Sequence, residues 1–258
     1  MKKIIALMLV VGALLNTQFA TAQVKKATPK KVATPSKASK NAAPKRISTK
    51  RATTTKVVPT TKVDGSIKVK ITTDSGVIVV KLSDSTPLHR DNFVKLVQQG
   101  FYDSLLFHRV IGEFMIQGGD PQSKNAPAGS MLGMGGGDMA RIPAEFKPSL
   151  FHKKGALAAA RDGNPERASS ACQFYIVQGK KYSDQDLNMM ELQSGRKFSP
   201  AERLAYKTIG GTPFLDQNYT VFGEVISGME VIDKIAAVAK DGNNRPLGDV
   251  HMKMELLP

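Results

Sequence analysis

The chain has 258 residues, a mean hydropathy of −0.21 and a formal net charge of +15, from 37 Lys or Arg against 22 Asp or Glu. Its length allows one ordinary domain with a sizeable core, and its single cysteine, Cys172, excludes an internal disulfide. The charge sits at one end: residues 1–63 hold 14 basic and no acidic side chains, whereas residues 64–258 hold 23 basic and 22 acidic ones.

The N-terminus reads as an export signal. Lys2 and Lys3 precede an apolar run of twelve residues, 4–15, and Ala20-Thr21-Ala22 offers a small-residue cleavage site before Gln23. A bilayer span needs about 20 apolar residues, so the run is too short to be one. Removal of residues 1–22 and a periplasmic or secreted destination are expected. Residues 23–64 are a basic Lys/Ala/Thr/Pro linker, and residues 23–63 contain neither Gly nor an aromatic. Such a segment buries too little apolar area to offset chain entropy and is expected to be disordered. Pro29, Pro35, Pro44 and Pro59 make it semi-extended. It reads either as a weak electrostatic tether to anionic envelope surfaces or as a passive spacer. Nucleic acid is not an expected partner, because the tail lacks aromatics to stack on bases.

Residues 65–258 read as one mainly β domain. Residues 66–71 and 77–82 are β-patterned around Thr73-Asp74-Ser75-Gly76, a hairpin signal. Pro87 starts a helical pattern with Phe93, Val94, Leu96 and Val97 on one face, ending at Gly100. Two short strands follow, Phe107-His108-Arg109-Val110-Ile111 and Phe114-Met115-Ile116-Gln117-Gly118-Gly119-Asp120, broken at Gly112-Glu113. Gly133-Met134-Gly135-Gly136-Gly137 lacks the Lys-Ser/Thr and the spacing of a nucleotide loop, and reads as a mobile loop beside a groove. Residues 156–160 and 173–177 are further strands. Ser183 begins one helix and Ser199-Pro200-Ala201-Glu202, a capping box with Pro at N1, begins a second. Together they form an inserted αα-hairpin at about residues 183–210. A strand at 220–225, a helix at 228–237 and a closing strand at 250–256 complete the domain.

The chemistry is defined by what is missing. There is no HExxH, no GxSxG and no Cys/His cluster, and His89, His108, His152 and His251 show no ligand spacing. No metal or organic cofactor is expected. Cys172 reads as buried and inert. What stands out is Arg109, a cation on an otherwise apolar strand, which needs either a carboxylate or an electron-rich ligand oxygen as partner. An Arg, two Gln and apolar or aromatic side chains suit a reaction without a nucleophile or net proton transfer. Rotation about an X–Pro amide is one such reaction. A fixed donor that weakens amide resonance by ~7 kcal/mol would accelerate it ~10⁵-fold.

The runs around Arg109 and Gln117, with Cys172-Gln173-Phe174-Tyr175-Ile176, Phe214-Leu215-Asp216 and Tyr219-Thr220-Val221-Phe222-Gly223, resemble the cyclophilin family of peptidyl-prolyl isomerases from about Ile67 onward. The resemblance implies a closed eight-stranded antiparallel β-barrel capped by two helices, those around Phe93 and Ile232. It implies a catalytic Arg109, with Gln117 bonding Arg109 or the substrate backbone and His108 at the groove edge. It implies a proline pocket of Phe114, Met115 and Leu215, with Tyr175 where the family usually has Phe. Ala160, Arg161 and Gln173 match the backbone-binding rim. Phe214 stands where the family has a Trp tied to cyclosporin binding, and Tyr219 where it often has His. Gly112-Glu113 departs from the family's usual turn. The expected protein is a monomer that isomerises X–Pro bonds in exported clients. A non-catalytic peptide-binding chaperone and a tethered envelope scaffold are the alternatives. With a neutral domain and Gln117 nearby, the expected partner of Arg109 is a ligand carbonyl.

Overall fold

The structure, a computed structural model, describes residues 66–258; the expected signal segment and basic linker lie outside the described residues. The expected hairpin is formed by β1 (Lys68–Thr73) and β2 (Gly76–Leu82), in antiparallel register from Lys68↔Lys81 to Thr73↔Gly76. Thr73 Oγ1 accepts from the Ser75 N–H at 3.1 Å and donates to Gly76 O at 2.8 Å, so the turn satisfies its own polar groups. Helix α1 (Pro87–Gln98) has Pro in its first turn, but its N-cap Thr86 makes no side-chain cap bond. Its orphan donors are satisfied from afar: Glu145 accepts the Leu88 and His89 N–H groups at 3.2 and 3.0 Å.

The remaining strands are β3 (Leu105–Leu106), β4 (Arg109–Ile111), β5 (Met115–Gly118), β6 (Ala156–Ala159), β7 (Phe174–Val177), β8 (Val221–Ser227) and β9 (His251–Leu257). They form one nine-stranded antiparallel sheet in the order β3-β9-β1-β2-β8-β6-β7-β5-β4. The architecture is therefore a curled nine-stranded sheet rather than the expected eight strands closed by ladders. The difference lies in one segment. The two ends of the sheet, β3 and β4, are successive pieces of residues 105–111, interrupted at Phe107-His108. Helices α1 and α4 (Met229–Ala236) pack Phe93, Leu96, Ile232 and Ile235 into the main core against Val80, Ile116, Ile176 and Phe222.

The inserted hairpin forms as its caps dictate. Helix α2 (Asp184–Ser194) starts on a Ser183–Asp186 capping box and stops at Gly195 with φ 70°. Helix α3 (Pro200–Thr208) starts on the expected Ser199–Glu202 box. The pair has its own small core of Tyr182, Leu187, Phe198 and Tyr206, with Phe151 against it.

Candidate active site

Strand register builds the site. Arg109 on β4 lies opposite Gln117 on β5, Gln117 opposite Tyr175 on β7, and Tyr175 opposite Ala158 on β6. These positions therefore form one row across four strands, on one face because strand side chains alternate. The other face carries Val110, Ile116, Ile176 and Leu157 into the main core. The face with the row buries Met115, Ala158, Tyr175 and Val221 in a second cluster, to which Phe114, Ala160, Leu215 and Tyr219 are added. The spacing of eight between Arg109 and Gln117 is thus a cross-strand pair around the Gly112-Glu113-Phe114 turn. That turn holds Glu113 at φ 60°, a left-handed conformation unusual for a residue with a Cβ, and its N–H donates to Gln178 Oε1 at 2.6 Å.

A cavity of about 110 Å³ opens on this face, lined by Arg109, Phe114, Met115, Gln117, Ala160, Arg161, Tyr175, Leu215 and Tyr219. At about 30 Å³ per water, it holds roughly three or four waters or one small ring. A second cavity of about 280 Å³ shares Gln117, Ala160 and Arg161 and continues past Gln173 to the glycine loop at Gly133–Gly137. Larger depressions of about 410 and 450 Å³ lie elsewhere, where Lys153 meets Glu224 and His251 meets Asp74.

The polar wall has a readable direction. Arg109 Nη1 donates to Gln117 Oε1 at 3.2 Å, and Gln117 Nε2 donates to Gln173 Oε1 at 3.0 Å. Gln173 Nε2 then donates to Gly133 O and Gly135 O at 3.0 and 2.9 Å. The chain starts at a guanidinium, which only donates, and ends at carbonyls, which only accept, so both amide orientations follow. Arg109 is half-buried and makes no ion pair among the described residues; burial pulls its pKa below the ordinary value. Among the described residues one of its five donors is used, and its guanidinium carbon lies 6.0 Å from the Phe114 ring centroid. Arg161 is committed instead: its guanidinium lies 4.6 Å from the Tyr219 ring centroid and donates to Asn218 O at 2.9 Å.

Three of the expected site residues lie outside the smaller cavity. Gln173 lines the second cavity and ties down the glycine loop, whose Gly133 N–H is also held by Asp120. Phe214 is 53% exposed and packs on Phe114 with centroids 5.7 Å apart, at the rim. His108 is not a groove-edge residue. It is 3% exposed beneath the glycine loop, and burial lowers its pKa to about 4. On the rim, the Ala160 N–H donates to Gln173 O at 2.9 Å, and its carbonyl accepts the Ser170 N–H at 2.8 Å. Cys172 is buried beside the glycine loop, and burial raises its pKa.

Sequence reasoning missed what stands behind Tyr175. Its hydroxyl meets His152 Nε2 at 3.0 Å, and His152 Nδ1 meets Asp216 Oδ1 at 2.9 Å. These partners lie 23 and 64 residues apart, so no local spacing announced them. Among the described residues there is no cluster of three or more His, Cys, Asp or Glu able to hold a metal.

Comparison with known proteins identifies the family. Residues 68–255 match the family described as cyclophilin type peptidyl-prolyl cis-trans isomerase/CLD. A Staphylococcus haemolyticus protein named "Putative peptidyl-prolyl cis-trans isomerase" is 37% identical over 72% of this chain and 89% of its own length. A Staphylococcus aureus protein of the same name is 38% identical over the same shares. The fold is that of a Cryptosporidium parvum cyclophilin type peptidyl-prolyl cis-trans isomerase, with TM-score 0.54, 22% identity, and coverage of 75% of this chain and 98% of that one. The same protein crystallised in the presence of the dipeptide Ala-Pro gives TM-score 0.53 at 22% identity, covering 74% and 99%. The chain belongs to the cyclophilin-type peptidyl-prolyl cis-trans isomerases.

Proposed function

We propose that this protein accelerates X–Pro rotation in exported, incompletely folded proteins, acting as a monomer, with Arg109 as the catalytic group. The observation that carries the reading is the half-buried Arg109 guanidinium in the wall of a small cavity, bonded among the described residues only to a neutral amide. The proline ring enters between Phe114, Met115 and Leu215 over the face of Tyr175. The free donors of Arg109 then meet the substrate carbonyl or the prolyl nitrogen, and either bond weakens amide resonance. Gln117 keeps the guanidinium in the plane where it is needed. No side chain exchanges a proton or forms a bond. Stabilising the twisted amide by ~7 kcal/mol against a barrier of ~20 kcal/mol would give ~10⁵-fold acceleration. The curled sheet serves as a closed eight-stranded barrel in this reading, with residues 105–111 counted as one bent strand.

A protease-coupled isomerisation assay on the full chain tests this against Arg109→Ala. Acceleration that depends on Arg109 is the expected result, and equal rates for both would end the catalytic reading. Binding of a proline peptide without acceleration would leave a peptide-binding chaperone. The export reading rests on Lys2, Lys3, the apolar run and Ala20-Thr21-Ala22. N-terminal sequencing of the protein recovered from the cell envelope or medium should start at Gln23, and a cytoplasmic protein with an intact N-terminus would overturn it. The basic linker would add weak attraction to anionic envelope surfaces, checked by co-sedimentation with anionic vesicles with and without residues 23–63.

A further inference from the structure

The inserted hairpin is joined to the proline cavity by a continuous buried hydrogen-bonded path. Asp216 follows Leu215, which lines the cavity, and its side chain is fully buried. Four donors converge on its carboxylate. These are the His152 N–H at 2.8 Å, His152 Nδ1 at 2.9 Å, Tyr206 Oη at 2.6 Å and Arg196 Nη1 at 3.3 Å. Tyr206 belongs to α3, and Arg196 to the link between α2 and α3. Because the carboxylate accepts, His152 Nδ1 carries a proton toward it, and His152 Nε2 pairs with the Tyr175 hydroxyl. The Tyr175 ring forms one wall of the cavity and meets Tyr219, another wall, edge-on with centroids 6.0 Å apart.

Nothing in general isomerase chemistry needs that hydroxyl. A phenyl ring would present the same apolar face, but it would leave His152 Nε2 buried without a partner. The hydroxyl therefore locks the ring rather than touching substrate. Leu215 is placed by the same carboxylate through the backbone. The insert, which sits on the far side of Asp216, supplies two of the four donors that keep this carboxylate in position.

We propose that the inserted hairpin sets the shape of the proline pocket through Tyr206 and Arg196, acting on Asp216, His152 and Tyr175. Tyr206, Asp216 and His152 are positioning residues, and this role rests on the isomerase reading above. A pocket that grips the ring equally in the ground and twisted states contributes uniform binding, so loosening it raises KM and leaves kcat nearly unchanged. Loss of Arg109 does the opposite.

The test is a double-mutant cycle in the full chain with Tyr206→Phe and Tyr175→Phe. Isomerisation is followed over a range of peptide concentrations, and binding of an Ala-Pro peptide is measured by calorimetry. Tyr206→Phe should raise KM and Kd about three- to tenfold at unchanged kcat, and should add little once Tyr175 is Phe. Additive effects, or unchanged KM and Kd in a folded Tyr206→Phe protein, would overturn the proposal. If Tyr206→Phe melts below the assay temperature, Arg196→Gln at the more exposed end of the path takes its place in the cycle. A wild type that binds the peptide but does not accelerate rotation removes the isomerase reading alone, since the Kd cycle still judges the path.

Discussion

Two arginines flank His108 and behave as opposites. Arg245 is 4% exposed and uses four of its five donors: it donates to Pro127 O at 2.8 Å, Ser130 O at 2.9 Å and Ala126 O at 3.5 Å, and pairs with Asp249 at 2.9 Å. Arg109 is half-buried and, among the described residues, spends one donor, on an amide. Desolvating a guanidinium is costly, and the cost is offset either inside the protein or by a ligand. At Arg245 the protein offsets it, and the product is a fixed loop. At Arg109 the offset is left incomplete, and the product is a site that becomes satisfied only when a carbonyl arrives.

The largest expected effect breaks or confirms this contrast directly. Arg109→Ala should lower kcat/KM by about 10²–10³, the usual loss for one preorganised donor, with the thermal midpoint nearly unchanged. A large drop in melting temperature instead would make Arg109 a structural residue like Arg245. Arg245→Ala should show the converse, about 3 kcal/mol of stability lost in urea unfolding, because three carbonyls and Asp249 lose their partner. The folded fraction should keep its kcat.

His108 sharpens the comparison, since Arg109 and Arg245 both disfavour its charged form after burial has done most of the work. Its folded pKa of about 4 lies below the ordinary 6.5, so the unfolded chain binds the extra proton between those values. The penalty is absent above pH 6.5, grows as pH falls, and is complete below about pH 4, where it reaches about 3 kcal/mol. Thermal melts should therefore show a smaller acid loss between pH 7 and pH 4.5 in His108→Phe than in the wild type. An identical acid limb in both would show that His108 is not buried as described. The smallest effect belongs to the turn that presents Phe114. Glu113→Gly relieves a left-handed conformation and should change stability by about +1 kcal/mol or less in urea unfolding, without altering kcat.

Features encoded within a few residues were legible in the sequence. The β1–β2 turn, the Ser199–Glu202 box and the glycine stop of α2 all depend on neighbours along one strand or turn, whereas the bond of Gln117 to Arg109 was one of two partners that the resemblance implied. Tyr175, Leu215 and Tyr219 were placed by resemblance, and they do meet Arg109 around one cavity. What pattern could not supply was non-local. Helix α1 is capped by a carboxylate 57 residues away, and the glycine loop is tethered by Gln173, 40 residues from Gly133. His108 was placed at the groove edge by resemblance, but the break between β3 and β4 leaves it buried under the glycine loop. Strand β3, at two residues, is too short to carry a period at all.

The position of β9 has a consequence for how the protein is made. β9 lies between β3 and β1 in the sheet, pairing Leu257 with Lys68 and Met252 with Leu105. Neither partner can find its neighbour until β9 has left the ribosome, which adds about 5–20 residues per second. Folding therefore waits for the end of this domain's synthesis, with long loops to close, and should be slow for its size. For its own assembly the enzyme is a late folder, whose first strand is held by its last.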